Sequence, residues 1–447
     1  MTTLHYSRYR TAIADIFEEE KQLELQLQVE RALARANAIY KKIPQAAAEE
    51  IERYVHSEHI TLKRVKEIEK ETHHDVVSVV QAATEVCPNY GEYVHVGATS
   101  SDIKDTVLGL QLKKAKKHLL DHIDKVIQIL LEYSEKYKNL VSIGRTHGQH
   151  AIPISYGFKF ANYLSEISIA RNNFQRSKVE YGKMSGAVGT YAFFDTPDIE
   201  TEVMHILGLE TLPITTQVIP RIIHFHFIAT LLEVVGVLDR LAREIRNLQR
   251  SEIGEVTEPF GSKQVGSSTM PQKQNPWRSE RISGISRYLR QLLAAAHENI
   301  SLEHERDLTN SSTEKLLIPQ IVILSDFVLL EMDFILSGLK INEERVKTNL
   351  NFLNGRQCAE NLLKHLTASL GRQKAHSLCQ RLTIERDFKK AVKTNDKIRQ
   401  VLSKDEIDNI LDPQNYIGLA PQIVDRVIRK VKEQSSIGLT DSKEKGG

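Results

Sequence analysis

Four polar segments carry the side chains best suited to chemistry. They are His73-His74-Asp75, then His95 with Thr99, Ser100 and Asp102, then Arg145-Thr146-His147 with His150, and the run 267–275. Histidine is the side chain best placed to move protons near neutral pH. A serine in a glycine-flanked loop, such as Ser267, can serve as nucleophile or base if its oxyanion is stabilised. Lys273 and Asn275, two apart, can hold a carboxylate, and glycines let backbone N–H groups approach an anion closely. None of the four segments follows a hydrophobic period, so core packing does not account for them. Ser267-Ser268 would also suit a helix cap before the segment after Pro276. His147 with His150, and His224 with His226, could each supply half a metal site. Neither an HExxH motif nor a cysteine pair completes one, and no metal is expected.

Helices must hold these residues in place. Leu108, Leu112, Ala115, Leu119, Ile123, Val126 and Leu130 recur at spacings of three and four, one stripe of a long helix. A second stripe runs through Leu231, Val234, Leu238, Leu241, Ile245 and Leu248. A third pattern covers 316–339 with Pro319 near its start, where proline is tolerated, and 155–183 and 279–296 also read as helical. Long apolar stripes must pack on each other, so the middle of the chain predicts a helix bundle. Alternating strands are nearly absent and there is no internal repeat. Prolines and glycines gather instead at 91–99, 144–153, 182–189 and 254–276, where the polar residues lie. The last stretch is too long for a plain connector and reads as a binding loop or lid.

The 447 residues allow a large core. Hydrophobic residues at 41% and charged residues at 26% are ordinary for a soluble protein. A net charge of +2 gives no field to recruit nucleic acid or an anionic membrane, and the lysines at 113, 114, 116 and 117 read as a solvated helix face. No apolar run approaches the roughly 20 residues of a membrane span, and no apolar signal core opens the chain. Three widely spaced cysteines suggest neither a disulfide framework nor a zinc cluster, and a reducing cytoplasm fits. The tail 435–447 is polar and rich in Gly, Ser and Lys, and is expected to be disordered.

The string GSSTMPQKQNP over 266–276 resembles the signature loop of the fumarase/aspartase superfamily, whose members share a helical fold and an elimination that yields fumarate or a related product. HVGATSSD over 95–102, followed by Asp105-Thr106, resembles the adenylosuccinate lyase pattern within it, as does GRTHGQHAIP over 144–153. KMSGAVG over 183–189 and HERDLTNSS over 304–312 match as well. The resemblance runs from about Arg8 to Leu339 and weakens beyond. It implies an all-α, three-domain fold with a central long-helix bundle: an N-terminal helical domain over 1–106, the bundle over 107–350 and a C-terminal helical domain over 351–434.

The resemblance also implies roles. Ser267 matches the base that takes a weakly acidic proton beside a carboxylate, and His147 the acid that protonates the departing nitrogen. Glu280 matches the carboxylate that orients His147, and His74 a second histidine at the substrate. Lys273, Asn275, Thr99 and Ser100 would hold the carboxylate of the carbanion intermediate. Arg8, Tyr9, Arg306, Ser311, Ser312 and Lys315 match positions that grip the nucleotide phosphate and ribose, while Gln217, His73 and Asp75 match further substrate contacts. His5-Tyr6 competes with Arg8-Tyr9 for the N-terminal contact. The substrates implied are adenylosuccinate and the succinyl-carboxamide ribotide of purine synthesis. No cofactor is implied, and the assembly is a homotetramer with shared active sites.

Several positions depart from the pattern. His73 and Lys315 stand where Arg is frequent, Arg281 where Asn is common and Gln272 where His is common. The stretch 218–224 is more apolar than usual. These departures bear on the part of the substrate beyond the succinyl unit. The nearest rival is a carboxymuconate cycloisomerase, which shares much of the pattern. A helical scaffold without activity and a metal-dependent hydrolase stand further off.

Overall fold

The computed structural model describes residues 7–444, except 262, 265 and 267, with side chains described to residue 434. It is 67% helix and 4% strand. The helices are α1 (Glu19–Ile39), α2 (Gln45–Tyr54), α3 (Leu62–Thr72), α4 (Asp75–Val86), α5 (Ser100–Lys136), α6 (Tyr156–Arg176), α7 (Asp198–Leu207), α8 (Ile222–Leu248), α9 (Trp277–Glu298), α10 (Thr309–Ser337), α11 (Glu343–Asn351), α12 (Ala359–Leu370), α13 (Arg372–Ile384), α14 (Phe388–Thr394), α15 (Asp396–Arg399), α16 (Lys404–Ile410) and α17 (Ala420–Glu444). Strands β1 (Val141–Thr146) and β2 (Gln149–Ser155) make one antiparallel hairpin, and β3 (Val256–Thr257) pairs antiparallel with β4 (Lys340–Ile341).

Two compact units arise, neither continuous in sequence. One contains Met1–Ile123, Ala170–Gly236 and Gly284–Leu330; the other contains Asp124–Ile169, Val237–Ser283 and Glu331–Gly447. In the first, α1 packs on α2 and α7, and α3 on α4, around two apolar cores. In the second, α12 packs on α13 and α11 on β1, and a core drawn wholly from 358–411 unites the C-terminal helices. The stripe residues behave as their spacing requires. Leu112, Ala115, Leu119, Ile123, Val126 and Leu130 on α5 are buried, as are all six of the α8 stripe.

Five local expectations change. Pro319 lies well inside α10, because the helix starts ten residues earlier, at Thr309, whose N–H donates to Asp307 at 2.7 Å. Lys116 is buried rather than solvated: it shares a face with Leu112 and Leu119, and its Nζ reaches Ser177 O at 2.8 Å and Glu180 at 3.1 Å. The helix after residue 155 stops at Arg176, short of Lys183. The stretch 254–276 is not all loop, since Val256 and Thr257 pair with Ile341 and Lys340. The backbone of α17 stays helical to Glu444, past the expected start of a disordered tail at 435; no proline interrupts it. A sixth difference concerns hydropathy. One helix among the described residues, α8, contains an 18-residue window of mean hydropathy 1.7 and is by length and composition able to cross a membrane; 56% of that window is buried within the chain. A helix covered on several sides needs apolar residues nearly all round.

Candidate active site

In the first unit the site begins where α5 begins. Asp102 is wholly buried and organises the helix entry. Its Oδ2 accepts from Thr99 N–H at 2.8 Å and Gly186 N–H at 3.2 Å, and its Oδ1 from Ser185 N–H at 3.1 Å and from the equally buried Lys183 ammonium. One carboxylate thus ties the HVGATSSD segment to the KMSGAVG loop and fixes half-buried Thr99 and Ser100 beside it. Arg306 Nη1 donates to Ser101 Oγ at 2.7 Å and to Gln217 Oε1 at 2.6 Å, and Gln217 Nε2 donates to Ala187 O at 2.9 Å. The segment with Thr99 and Ser100, Gln217 and Arg306, far apart in sequence, therefore form one connected cluster. Arg306 Nε is buried without a hydrogen-bond partner.

A second cluster surrounds Asp75. His73 ends α3 in the left-handed conformation, and His74 caps α4 by accepting from Val77 N–H at 3.4 Å. Asp75 Oδ2 meets Lys104 Nζ at 2.7 Å and Lys315 Nζ at 3.5 Å. Burial raises the Asp75 carboxyl, but the two ammonium groups and the Val76 N–H outweigh it and hold the group below its ordinary value. Lys315 is otherwise exposed. Ser311 and Ser312 lie in the first turn of α10, Arg8 is exposed, and the Tyr9 ring packs edge-on against Phe327 at 5.3 Å. Arg8, Arg306 and Lys315 thus do not converge through contacts with one another in these positions. His5 and Tyr6 lie outside the described residues.

Burial explains part of the stretch 218–224: Val218, Ile219, Arg221 and His224 are buried, while Ile222 is exposed. Arg221 pairs with Asp105 at 2.7 and 2.9 Å and with Glu314 at 3.0 Å, all away from water. His224 beside them is pushed down to about 3 by burial and by Arg221, so it stays neutral. His226 points out to solvent, so the two histidines do not share a face.

In the second unit, Thr146 pairs with Gln149, leaving His147 and Gly148 as a two-residue hairpin turn. Both have positive φ, 53° and 76°, the requirement of a type I′ turn. Glycine suits this conformation; histidine does so at a cost of about 1–3 kcal/mol. Arg145, two residues before, is anchored on buried Glu255 at 2.5 and 3.3 Å, with Asn349 donating to the same carboxylate at 2.8 Å. His147 is held exposed at the tip. His150, on the other side of the turn, is lowered by burial and by Arg145. Among the described residues, half of the eight non-glycine positions at positive φ are histidines: His73, His95 and His147, each in one of the polar segments, and His304, which opens the HERDLTNSS string. Strain of this kind collects at functional sites.

The signature loop closes on itself. Asn275 Nδ2 donates to Gly266 O at 3.0 Å, and a Cβ at Gly266 would lie 1.9 Å from Lys273 O, an approach that only glycine permits. Gln249 Nε2 donates to Gln274 O at 3.0 Å, and Gln249 Oε1 accepts from Glu258 N–H at 2.9 Å. Glu258 in turn accepts the Ser279 and Arg278 N–H groups at the start of α9; burial raises its carboxyl above the ordinary value despite these donors. A cleft of about 620 Å³ results, whose lining includes Arg246, Arg250, Gln272, Lys273, Asn275 and Glu280. Lys273, Asn275 and Glu280 are thereby brought together. Arg246 on α8 and Arg250 just past its C-terminal end join them unforeseen; an arginine pair four residues apart before the loop was the available signal. Arg281 stacks on Trp277 at 4.2 Å and stands 3.8 Å from Glu331, away from the polar lining. Ser267 lies outside the described residues. His147 and Glu280 make no hydrogen bond to each other within the chain.

Neither histidine pair expected as half a metal site gathers a third ligand among the described residues. The second unit offers a strained, exposed histidine and a cleft lined by Arg246, Lys273 and Glu280, groups of the kind that proton transfer and carboxylate binding require; the first offers, separately, a hydroxyl-rich helix entry.

A fumarate lyase from Mesorhizobium sp. BNC1 superposes with a TM-score of 0.88 at 25% identity, over 95% of this chain and 99% of that one. A 3-carboxy-cis,cis-muconate lactonizing enzyme from Pseudomonas putida does so at 0.87 and 28%, over 95% and 98%. A family model described as "Lyase" matches residues 4–289, and one described as "Adenylosuccinate lyase C-terminus" matches 355–427. The fold is that of the fumarase-type lyases. An adenylosuccinate lyase from Pyrococcus abyssi is 44% identical over 434 residues, covering 95% of this chain and 96% of that protein. The chain belongs to the adenylosuccinate lyase family of the fumarase/aspartase superfamily.

Proposed function

We propose that this carbon–nitrogen lyase converts adenylosuccinate to AMP and fumarate, and cleaves the succinyl-carboxamide ribotide (SAICAR) in the same way. Ser267 removes the proton from the carbon beside a carboxylate, the C–N bond breaks, and His147 protonates the leaving nitrogen. Glu280 supports the imidazolium form of His147, and His74 assists at the substrate. Lys273, Asn275, Thr99 and Ser100 stabilise the charge that gathers on the carboxylate. Arg8, Tyr9, Arg306, Ser311, Ser312 and Lys315 bind phosphate and ribose, with Gln217, His73 and Asp75 as further contacts. The observation that carries this reading is the cleft that gathers Lys273 and Asn275, on the loop whose string resembles the superfamily signature, with Glu280 of α9.

The assembly we propose is a homotetramer in the cytoplasm, with each site completed by residues of neighbouring copies. Two facts support it. His147 and Glu280 are both exposed and unjoined in one chain, and the long helices α9 and α10 expose Tyr288, Leu316, Leu330 and Phe334 at 38–58%. We also propose three functional segments, 1–106, 107–350 and 351–434, for which the self-contained core at 358–411 is support. The likeness to the lactonizing enzyme keeps a cycloisomerase as second reading, though the C-terminal family match favours the first. Comparing adenylosuccinate, succinyladenosine and 3-carboxymuconate tests it. Cleavage of adenylosuccinate far above the other two is expected; equal efficiency on adenylosuccinate and succinyladenosine would remove the phosphate contacts from the account.

A further inference from the structure

We propose that His118, His122 and Asp326 form a divalent transition-metal site, of Zn²⁺ type, that clips α5 to α10. His118 and His122 lie one turn apart on α5, a spacing that puts both rings on one helix face. Their ring centroids are 4.3 Å apart. Asp326, on α10, is wholly buried between Ser325 and Phe327, where a carboxylate is costly unless paired. His122 Nδ1 is 2.7 Å from Asp326 Oδ1, and His118 Nε2 is 3.3 Å from the same oxygen. One ligand atom from each residue falls within 4.8 Å of the others.

Hydrogen bonding leaves this cluster incomplete. Asp326 Oδ2 and His118 Nε2 are both buried and neither has a hydrogen-bond partner. Buried polar atoms are nearly always satisfied, so two orphans in one triad call for a further partner. A cation meets that need, since it takes lone pairs from both imidazoles and from the carboxylate together. Ligands about 2.0–2.1 Å from a tetrahedral ion stand roughly 3.3 Å from one another. The His118 separation already fits, and the His122 separation has to open by about half an ångström, a modest ring rotation. Two neutral imidazoles and one carboxylate suit Zn²⁺ and its neighbours rather than Mg²⁺ or Ca²⁺, which prefer oxygen. His118 is 31% exposed, which gives an ion a way in, and the fourth position remains for water. None of the three residues lies in a motif segment, so the site is a structural clip, independent of the elimination. It stabilises only the folded arrangement of the two helices.

Full-length protein stripped with a chelator and dialysed would be titrated with Zn²⁺ against a chromophoric competitor. The expected result is one Zn²⁺ bound per chain and a higher Tm in the loaded form. His122→Gln and Asp326→Asn should each weaken binding by at least about 100-fold, beyond the 10–100-fold that loss of an outer-shell partner costs. His118→Gln, at the exposed end of the triad, should do the same with circular dichroism unchanged, and stands in if Asp326→Asn does not fold. Absence of Zn²⁺ binding, or equal binding by wild type and His118→Gln, would overturn the site.

Discussion

Replacing Asp102 by Asn should loosen the α5 entry without changing its shape. Asp102 and Lys183 are both completely buried, and the carboxylate accepts from three backbone N–H groups as well as from the ammonium. An amide of the same size cannot match these donors, because one of its two ends is itself a donor. Lys183 then keeps Gly186 O, at 3.4 Å, and loses the carboxylate it is bonded to, with Glu200 the charge left in its surroundings. Breaking a buried pair from one side costs about 3–5 kcal/mol. At about 1.4 kcal/mol per decade, amide exchange in the two tied segments, 95–102 and 183–189, should accelerate roughly 10²- to 10³-fold if opening is local. Hydrogen–deuterium exchange read by mass spectrometry resolves these peptides. Lys183→Met added to Asp102→Asn removes the stranded cation and should recover at least half of the lost protection. Wild-type exchange in Asp102→Asn, or a double variant as damaged as the single one, would refute the account of Asp102 as the organiser.

Three further outcomes follow from the site. Ser267→Ala and His147→Ala should each lower turnover at least ~10²-fold with fold intact, and mixing the two inactive chains should restore some activity if sites are shared; near-normal turnover in either would cancel its role. Lys315→Ala should chiefly raise KM with kcat little changed, because phosphate lies far from the breaking bond; a pure kcat loss would contradict this. Burial lowers His95, but Glu30, bonded at 2.7 Å, with Asp102 nearby, outweighs it and holds the imidazolium above its ordinary 6.5. The stability from this pair is fully present below about 6.5 and lost as pH rises through the higher folded value, so the Tm gap between wild type and Glu30→Gln should narrow with rising pH. A widening gap would reverse the assignment.

What could be read from the chain alone depended on periodicity and on local strings. The α5 and α8 stripes were legible because each repeats a 3.6-residue signal over many turns. The β1–β2 hairpin was not read, although Val141 and Ile143 alternate with polar neighbours, because six-residue strands give a weak signal and the turn pair His147-Gly148 is unusual for type I′. Pro319 misled because proline usually marks a helix start, while α10 continues through it. Lys116 misled because charge is read as exposure, whereas a long apolar stem can carry an amine to a buried carbonyl. Candidate residues in compact motifs, such as Lys273 and Asn275, could be named from sequence. The Asp102–Lys183 tie and the Arg306–Gln217 contact could not, because each joins segments far apart in sequence. The triad at 118, 122 and 326 escaped for the same reason.

The central claim is elimination from adenylosuccinate, and the direct measurement is product stoichiometry. Purified full-length protein would be incubated with adenylosuccinate, the ultraviolet change followed, and AMP and fumarate quantified separately. The account predicts AMP and fumarate in equal amounts, with formation of both abolished or reduced at least ~10²-fold in Ser267→Ala. Folded protein that leaves adenylosuccinate intact, or that turns over 3-carboxymuconate instead, would contradict it.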